Sequence, residues 1–228
     1  MITDIKGEIA QSSATRGGEG DKKFIRLLRD GSISTASFLQ SMILEGKGYM
    51  TFEGVLSTPA VGGGVAAVVD ADRPNLTLGV PDGTSIFLFR VTGQALTPLL
   101  ATDADESEMV LGVHVGTKIT VAAATALVPR NLRTGLGQGS VIDAEKTHST
   151  NIATSPTLEL ELAHAIAVGD MNGTPANALW GFLEMNYEPA VVPVVKGPST
   201  VIFYRGGTVA TTGFTQAFWI EIASSDLT

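Results

Sequence analysis

The sequence predicts an all-β fold, two antiparallel sheets packed face to face, and three observations carry that prediction. From Gly46 onward, short runs rich in β-branched and aromatic residues alternate with turns rich in glycine, proline and aspartate. Several of these runs, residues 157–166 most cleanly, alternate apolar and polar side chains at period two, the repeat of a strand. Long helical periods are missing, which argues against alternating β–α units. About eight to ten such runs fit the spacing of a β-sandwich or jelly roll, and no fixed-period repeat points to a propeller or solenoid.

Composition narrows the function classes. The chain has 228 residues, enough for one large all-β domain or two small ones. Charged residues are only 17% against 44% hydrophobic, and there are 26 glycines, a balance that fits a surface hidden against neighbours as well as a turn-rich β domain. The net charge of −8 disfavours non-specific binding to phosphate backbones, so no strong nucleic-acid binding is expected. With no cysteine, disulfides, thiolate metal sites and thiol nucleophiles are excluded. The first residues lack the basic start and apolar run of a secretory signal, and no apolar run reaches membrane-span length. The expectation is a soluble protein made in the cytoplasm.

Residues 1–45 read as an N-terminal arm with short helical pieces, and residues 46–228 as the β domain. Residues 11–20 are polar and glycine-rich, the mark of an extended piece. Asp21 as a cap, with Phe24, Leu27 and Leu28 on one side, predicts a short helix over residues 21–29, and residues 37–44 predict another. Residues 1–34 carry six basic and five acidic side chains, so the arm is nearly neutral and suited to docking on protein.

Strands follow at residues 48–56, 65–69 and 75–80, the last closed by the turn signal Pro81-Asp82-Gly83. Residues 84–92 are bulky on both faces, as in a strand covered on both sides. Residues 109–115 and 118–122 predict a hairpin around Gly116-Thr117, and residues 129–156 a long surface excursion. In residues 157–166, Glu159 and Glu161 face away from Leu158 and Leu160. A turn at 170–175 leads to a strand at 179–187, and Pro189 and Pro193 mark residues 191–195 as an edge or bent strand. The chain closes on a predicted hairpin, residues 201–222. Its second strand puts Phe214, Phe218, Ile220 and Ile222 on one face, with Gln216 among them, and Thr215, Ala217, Trp219 and Glu221 on the other. Trp180 reads as core, and Trp219 as core or as an inter-sheet or intersubunit contact.

Candidate sites are sparse. His114, His148 and His164 lie in separate segments, without the convergence a zinc or catalytic centre needs. Asp103, Asp105, Glu106 and Glu108 are candidate oxygen ligands for a divalent cation, but lack the frame of an EF-hand and read better as a solvated acidic loop. The glycine-rich stretch 135–140 fits neither the dinucleotide fingerprint nor the P-loop, and no serine sits in a nucleophile elbow. Asn75 and Asn172 head glycosylation-type triplets that read as turns. The expectation is therefore no enzyme, no cofactor and no metal.

Two segments carry a resemblance. Residues 195–204 (Val-Lys-Gly-Pro-Ser-Thr-Val-Ile-Phe-Tyr) with 213–222 (Gly-Phe-Thr-Gln-Ala-Phe-Trp-Ile-Glu-Ile) resemble the closing strands of jelly-roll capsid proteins of small icosahedral viruses and tailless phages. Residues 80–89 (Val-Pro-Asp-Gly-Thr-Ser-Ile-Phe-Leu-Phe) resemble the entry to an early strand of that fold. The resemblance implies eight strands in two sheets after an N-terminal arm, a capsid subunit assembling with copies of itself and other capsid proteins, and location in the virion. The near-neutral arm departs from the basic arms of many RNA-virus coats, and fits a shell with an internal membrane or separate packaging proteins. The rival readings are a phage tail or spike module that binds a receptor or sugar as a trimer, and a cupin-like enzyme, which needs clustered His and Glu ligands.

Overall fold

The computed structural model describes residues 7–8, 25–26, 37–55, 58–61, 69–98, 105–119, 124–137, 139–146, 152, 156–169, 180–207 and 211–227. In chain order these hold β1 (Gly7–Glu8), β2 (Ile25–Arg26), α1 (Phe38–Leu44), β3 (Gly48–Glu53), β4 (Ala60–Val61), β5 (Leu76–Val80), β6 (Thr84–Pro98), β7 (Asp105–Val115) and β8 (Thr125–Ala126). Then come β9 (Arg130–Asn131), β10 (Asp143–Lys146), β11 (Leu160–Gly169), β12 (Trp180–Tyr187), β13 (Val194–Lys196), β14 (Ser199–Gly207), β15 (Thr212–Ala223) and a 3-10 turn, Ser224–Leu227.

The all-β sandwich is what the chain forms. One sheet runs β11-β7-β14-β5-β10-β8 and the other β12-β6-β15-β3-β9, with β13 also on β6 and β4 also on β15. All pairings in both sheets are antiparallel. Among the eight long strands, the first pairs with the last (β3 with β15), the second with the seventh (β5 with β14), the third with the sixth (β6 with β12) and the fourth with the fifth (β7 with β11). Alternate pairs fall into opposite sheets.

The main core lies between the sheets. Leu76, Leu78, Val80, Leu111, Val113, Val201 and Phe203 of the first face Ile86, Leu88, Val91, Ala217 and Trp219 of the second. In β6 the buried series changes phase between Leu88 and Val91, because the register with β15 slips between Phe218 and Trp219 and leaves Phe89 as an extra residue. Gly93 has no side chain because Phe203 occupies the place: a Cβ there would meet the Phe203 ring at 2.6 Å.

Two further layers cover the outer faces. α1 forms where the sequence predicts a helix; the Ser37 hydroxyl caps it by accepting the Gln40 N–H, and Leu39, Met42 and Ile43 pack on Phe87, Phe89, Ile220 and Ile222. On the other sheet, Ile202 and Tyr204 lie under Val69, Ile119 and Leu158, so β14 is buried along its whole length.

Several expectations need correction. The closing strands β14 and β15 are not a hairpin: they lie in different sheets. Alternation left open which face of β15 meets the larger core; it is the Trp219 face, and Trp219 is a core inter-sheet contact, one of the readings the sequence offered. Of the strand expected over 118–122, residues 118–119 are not in a strand and 120–122 lie outside the described residues; the described partners of β7 are β11 and β14. The excursion 129–156 contributes β9 and β10 and sends Ile142 and Ala144 into the core. The helix at 21–29 falls mostly outside the described residues, and within it Ile25 and Arg26 pair in parallel with Gly7 and Glu8, which a helix does not allow. The strand at 65–69 and the turn at 170–175 fall outside the described residues, apart from Val69 in a bend.

Candidate functional site

The most unusual chemistry is buried at one end of the sandwich. Alternation on β3 points Thr51 and Glu53 inward, and β14 sends Arg205 to meet Glu53. Both side chains are fully buried, with Arg205 Nη2 3.4 Å from Glu53 Oε2. Arg205 also donates to Thr215 Oγ1 at 3.0 Å and to the Ala60 carbonyl at 3.1 Å, and Thr215 donates to Glu53 at 3.2 Å. Asn75 Oδ1 accepts the Arg205 backbone N–H at 2.6 Å. Burial pulls each partner toward its neutral form, raising the Glu53 carboxyl and lowering the Arg205 guanidinium, while the charge of the other opposes it. Glu53 Oε1, Asn75 Nδ2 and Arg205 Nε have no hydrogen-bond partner among the described residues. Desolvation of the two charges offsets much of their attraction, so the pair by itself adds little net stability, while removal of one partner would leave the other buried and uncompensated.

A groove of about 300 Å³ opens on the flank beside it, lined by Phe52, Val55, Ala60 and Val128 with Arg130 and Lys146. Lys146 also lowers the Glu53 pKa, third after Arg205 and Thr215 among the influences that oppose its burial. A second recess of about 260 Å³ near the opposite end is lined by Lys47, Tyr49, Glu221 and Asp226. There Glu221 accepts from Trp219 Nε1 at 2.8 Å and from the Ser140 hydroxyl, and burial still raises its carboxyl above the usual range.

Of the described histidines, His164 bridges β11 to β7, and His114 ties β7 to the segment that leads into β11. His114 Nδ1 lies 2.8 Å from the Thr157 carbonyl and Nε2 lies 3.1 Å from Thr117 Oγ1, so Nδ1 donates and a neutral ring accepts the Thr117 hydroxyl. Glu159 stands 3.4 Å from Nδ1, its carboxyl held below the usual range chiefly by the Val115 N–H it accepts at 2.8 Å. The spacing is that of a hydroxyl, base and carboxylate relay, but neither recess is lined by Thr117, His114 or Glu159. The arrangement straps the loop after β7 to the entry of β11.

Of the acidic candidates, Asp103 and also His148 lie outside the described residues, and Asp105 and Glu106 are placed only by their backbone, as is Trp180. Asp105 to Glu108 open β7 and are not a loop. Glu108 pairs with His164, which also lies 3.4 Å from Glu161. Among the described residues no three His, Asp or Glu side chains form a metal-binding group. Asn75 is buried before β5 and is not an exposed turn. The glycine-rich stretch 135–140 does not form a phosphate cradle: Gly139 offers its carbonyl to Tyr49, and Ser140 bonds Glu221. Glu53 and Arg205 were missed by sequence reasoning; a charged residue at an inward position of an apolar strand run was the available signal.

No protein-family model, curated protein or solved structure matches the chain.

Proposed function

We propose that this chain is a structural subunit, a jelly-roll protein of a viral capsid that acts by assembling with copies of itself. The nested pairing of the eight long strands, first with last through fourth with fifth, carries this reading. A jelly roll is one long antiparallel ribbon rolled up so that alternate pairs enter opposite sheets, and the division of the long strand pairs between the two sheets supports that reading. The sandwich also exposes large apolar side chains on several loops and edges, among them Val55, Val128, Val141, Ile166 and Val191. Such side chains suit contacts that a shell subunit makes on many sides. A fold hosts many functions, so the strand order supports the reading and an assembly experiment decides it.

In this reading the partners are other copies and further shell proteins, the chain resides in the virion, and genome packing falls to other components or to an internal membrane. Sedimentation velocity and electron microscopy of the purified protein test it. Rings of five or six subunits, or closed particles, are expected. A discrete trimer would favour the spike reading, and a monomer at high concentration would overturn self-assembly.

A further inference from the structure

The two flanks of the sandwich are unlike. On one, β3 and β9 end the seven-stranded sheet, β10 and β8 end the six-stranded one, and the 300 Å³ groove lies between them. Its charged lining residues, Arg130 and Lys146, are both cationic, and Phe52, Val55 and Val128 form an exposed apolar wall. The opposite flank ends in β12, continued along β6 by β13. The connection between those two strands carries Val191, 85% exposed, the most exposed large apolar side chain among the described residues. Pro189 and Pro193 bracket it and restrict its backbone, which lowers the entropy lost on docking. Glu188 is exposed at the base of this knob.

We infer that the loop over residues 188–193 of one copy docks in the groove of the next copy. Val191 packs on Phe52, Val55 and Val128, and the Glu188 carboxylate faces Arg130 and Lys146. This rests on the shell-subunit reading and supplies the lateral surface that reading requires. The charges are complementary, and a groove of about 300 Å³ has room for a valine side chain. Because knob and groove occupy opposite flanks, the contact is head-to-tail. It propagates into rings or open chains and does not close as a twofold dimer.

Sedimentation velocity on the full chain at matched concentrations tests the contact. Val191→Asp, Glu188→Lys and Arg130→Glu each raise the concentration for half-assembly by about tenfold or more. Glu188→Lys combined with Arg130→Glu restores most of the loss. These side chains are exposed, so thermal unfolding of each variant stays near wild type; Val191→Ser replaces Val191→Asp if the latter unfolds. Wild-type multimers whose assembly ignores all the substitutions overturn the contact and leave the shell reading standing. A twofold dimer as the end product overturns the contact and the shell reading together. A wild type that stays monomeric overturns the shell reading, and the contact with it.

Discussion

Replacing Trp219 by alanine separates a core residue from an interface residue. Its side chain is 0% exposed, stacks on Tyr49 with ring centroids 6.3 Å apart, and donates through Nε1 to Glu221 at 2.8 Å. Removing a buried aromatic ring costs about 3–5 kcal/mol, and leaving a buried carboxylate short of one donor adds about 1–3 kcal/mol. Against a total stability of about 5–15 kcal/mol, the loss is large. At about 2–4 °C per kcal/mol for a chain this size, the cavity alone lowers the unfolding midpoint by roughly 6–20 °C. Thermal unfolding followed by circular dichroism at low protein concentration measures it. Trp219→Phe, which keeps much of the ring but no N–H, should lose clearly less. If Trp219→Ala shifts the midpoint by less than about 3 °C yet abolishes assembly, the residue is a surface contact and the packing argument fails.

Four further outcomes are expected. Arg205→Met leaves the Glu53 carboxyl buried without its counter-charge and costs about 3–5 kcal/mol in urea unfolding, whereas adding Glu53→Leu recovers part of that loss, since neighbouring effects are not additive. Burial holds the Glu221 carboxyl above its usual 4.5 in the folded chain. Its share of stability is therefore complete below about 4.5 and declines as pH rises through the folded value; Glu221→Gln removes that decline, so the gap between wild type and variant shifts in the variant's favour between pH 4 and 7, as denaturant titrations across about this range will read. Gly93→Ala drives a methyl against Phe203 and the Met109 sulfur, 2.8 Å away, and costs about 1–3 kcal/mol. Deleting residues 1–34 leaves the circular dichroism and unfolding midpoint of the sandwich intact but impairs particle formation; truncated protein that forms normal particles would remove the arm from assembly.

Local pattern alone determined the β class, the positions of most long strands, the short helix within residues 37–44 and the turn at Pro81-Asp82-Gly83. These depend on neighbours a few residues apart, through side-chain alternation, capping and turn preferences. The candidate site was not legible in this way. Glu53 and Arg205 lie 152 positions apart, and nothing local to either announces the other. Nor did alternation say which face of β15 meets the larger core: both faces carry bulky apolar residues, and α1 covers one while the opposing sheet covers the other. The glycine-rich excursion looked like surface because its turns are local, yet β10 pairs with β5 and buries Ala144. Strand partners, inward faces and the company of a buried charge are set by contacts between distant segments, which form only when the two sheets close over one another.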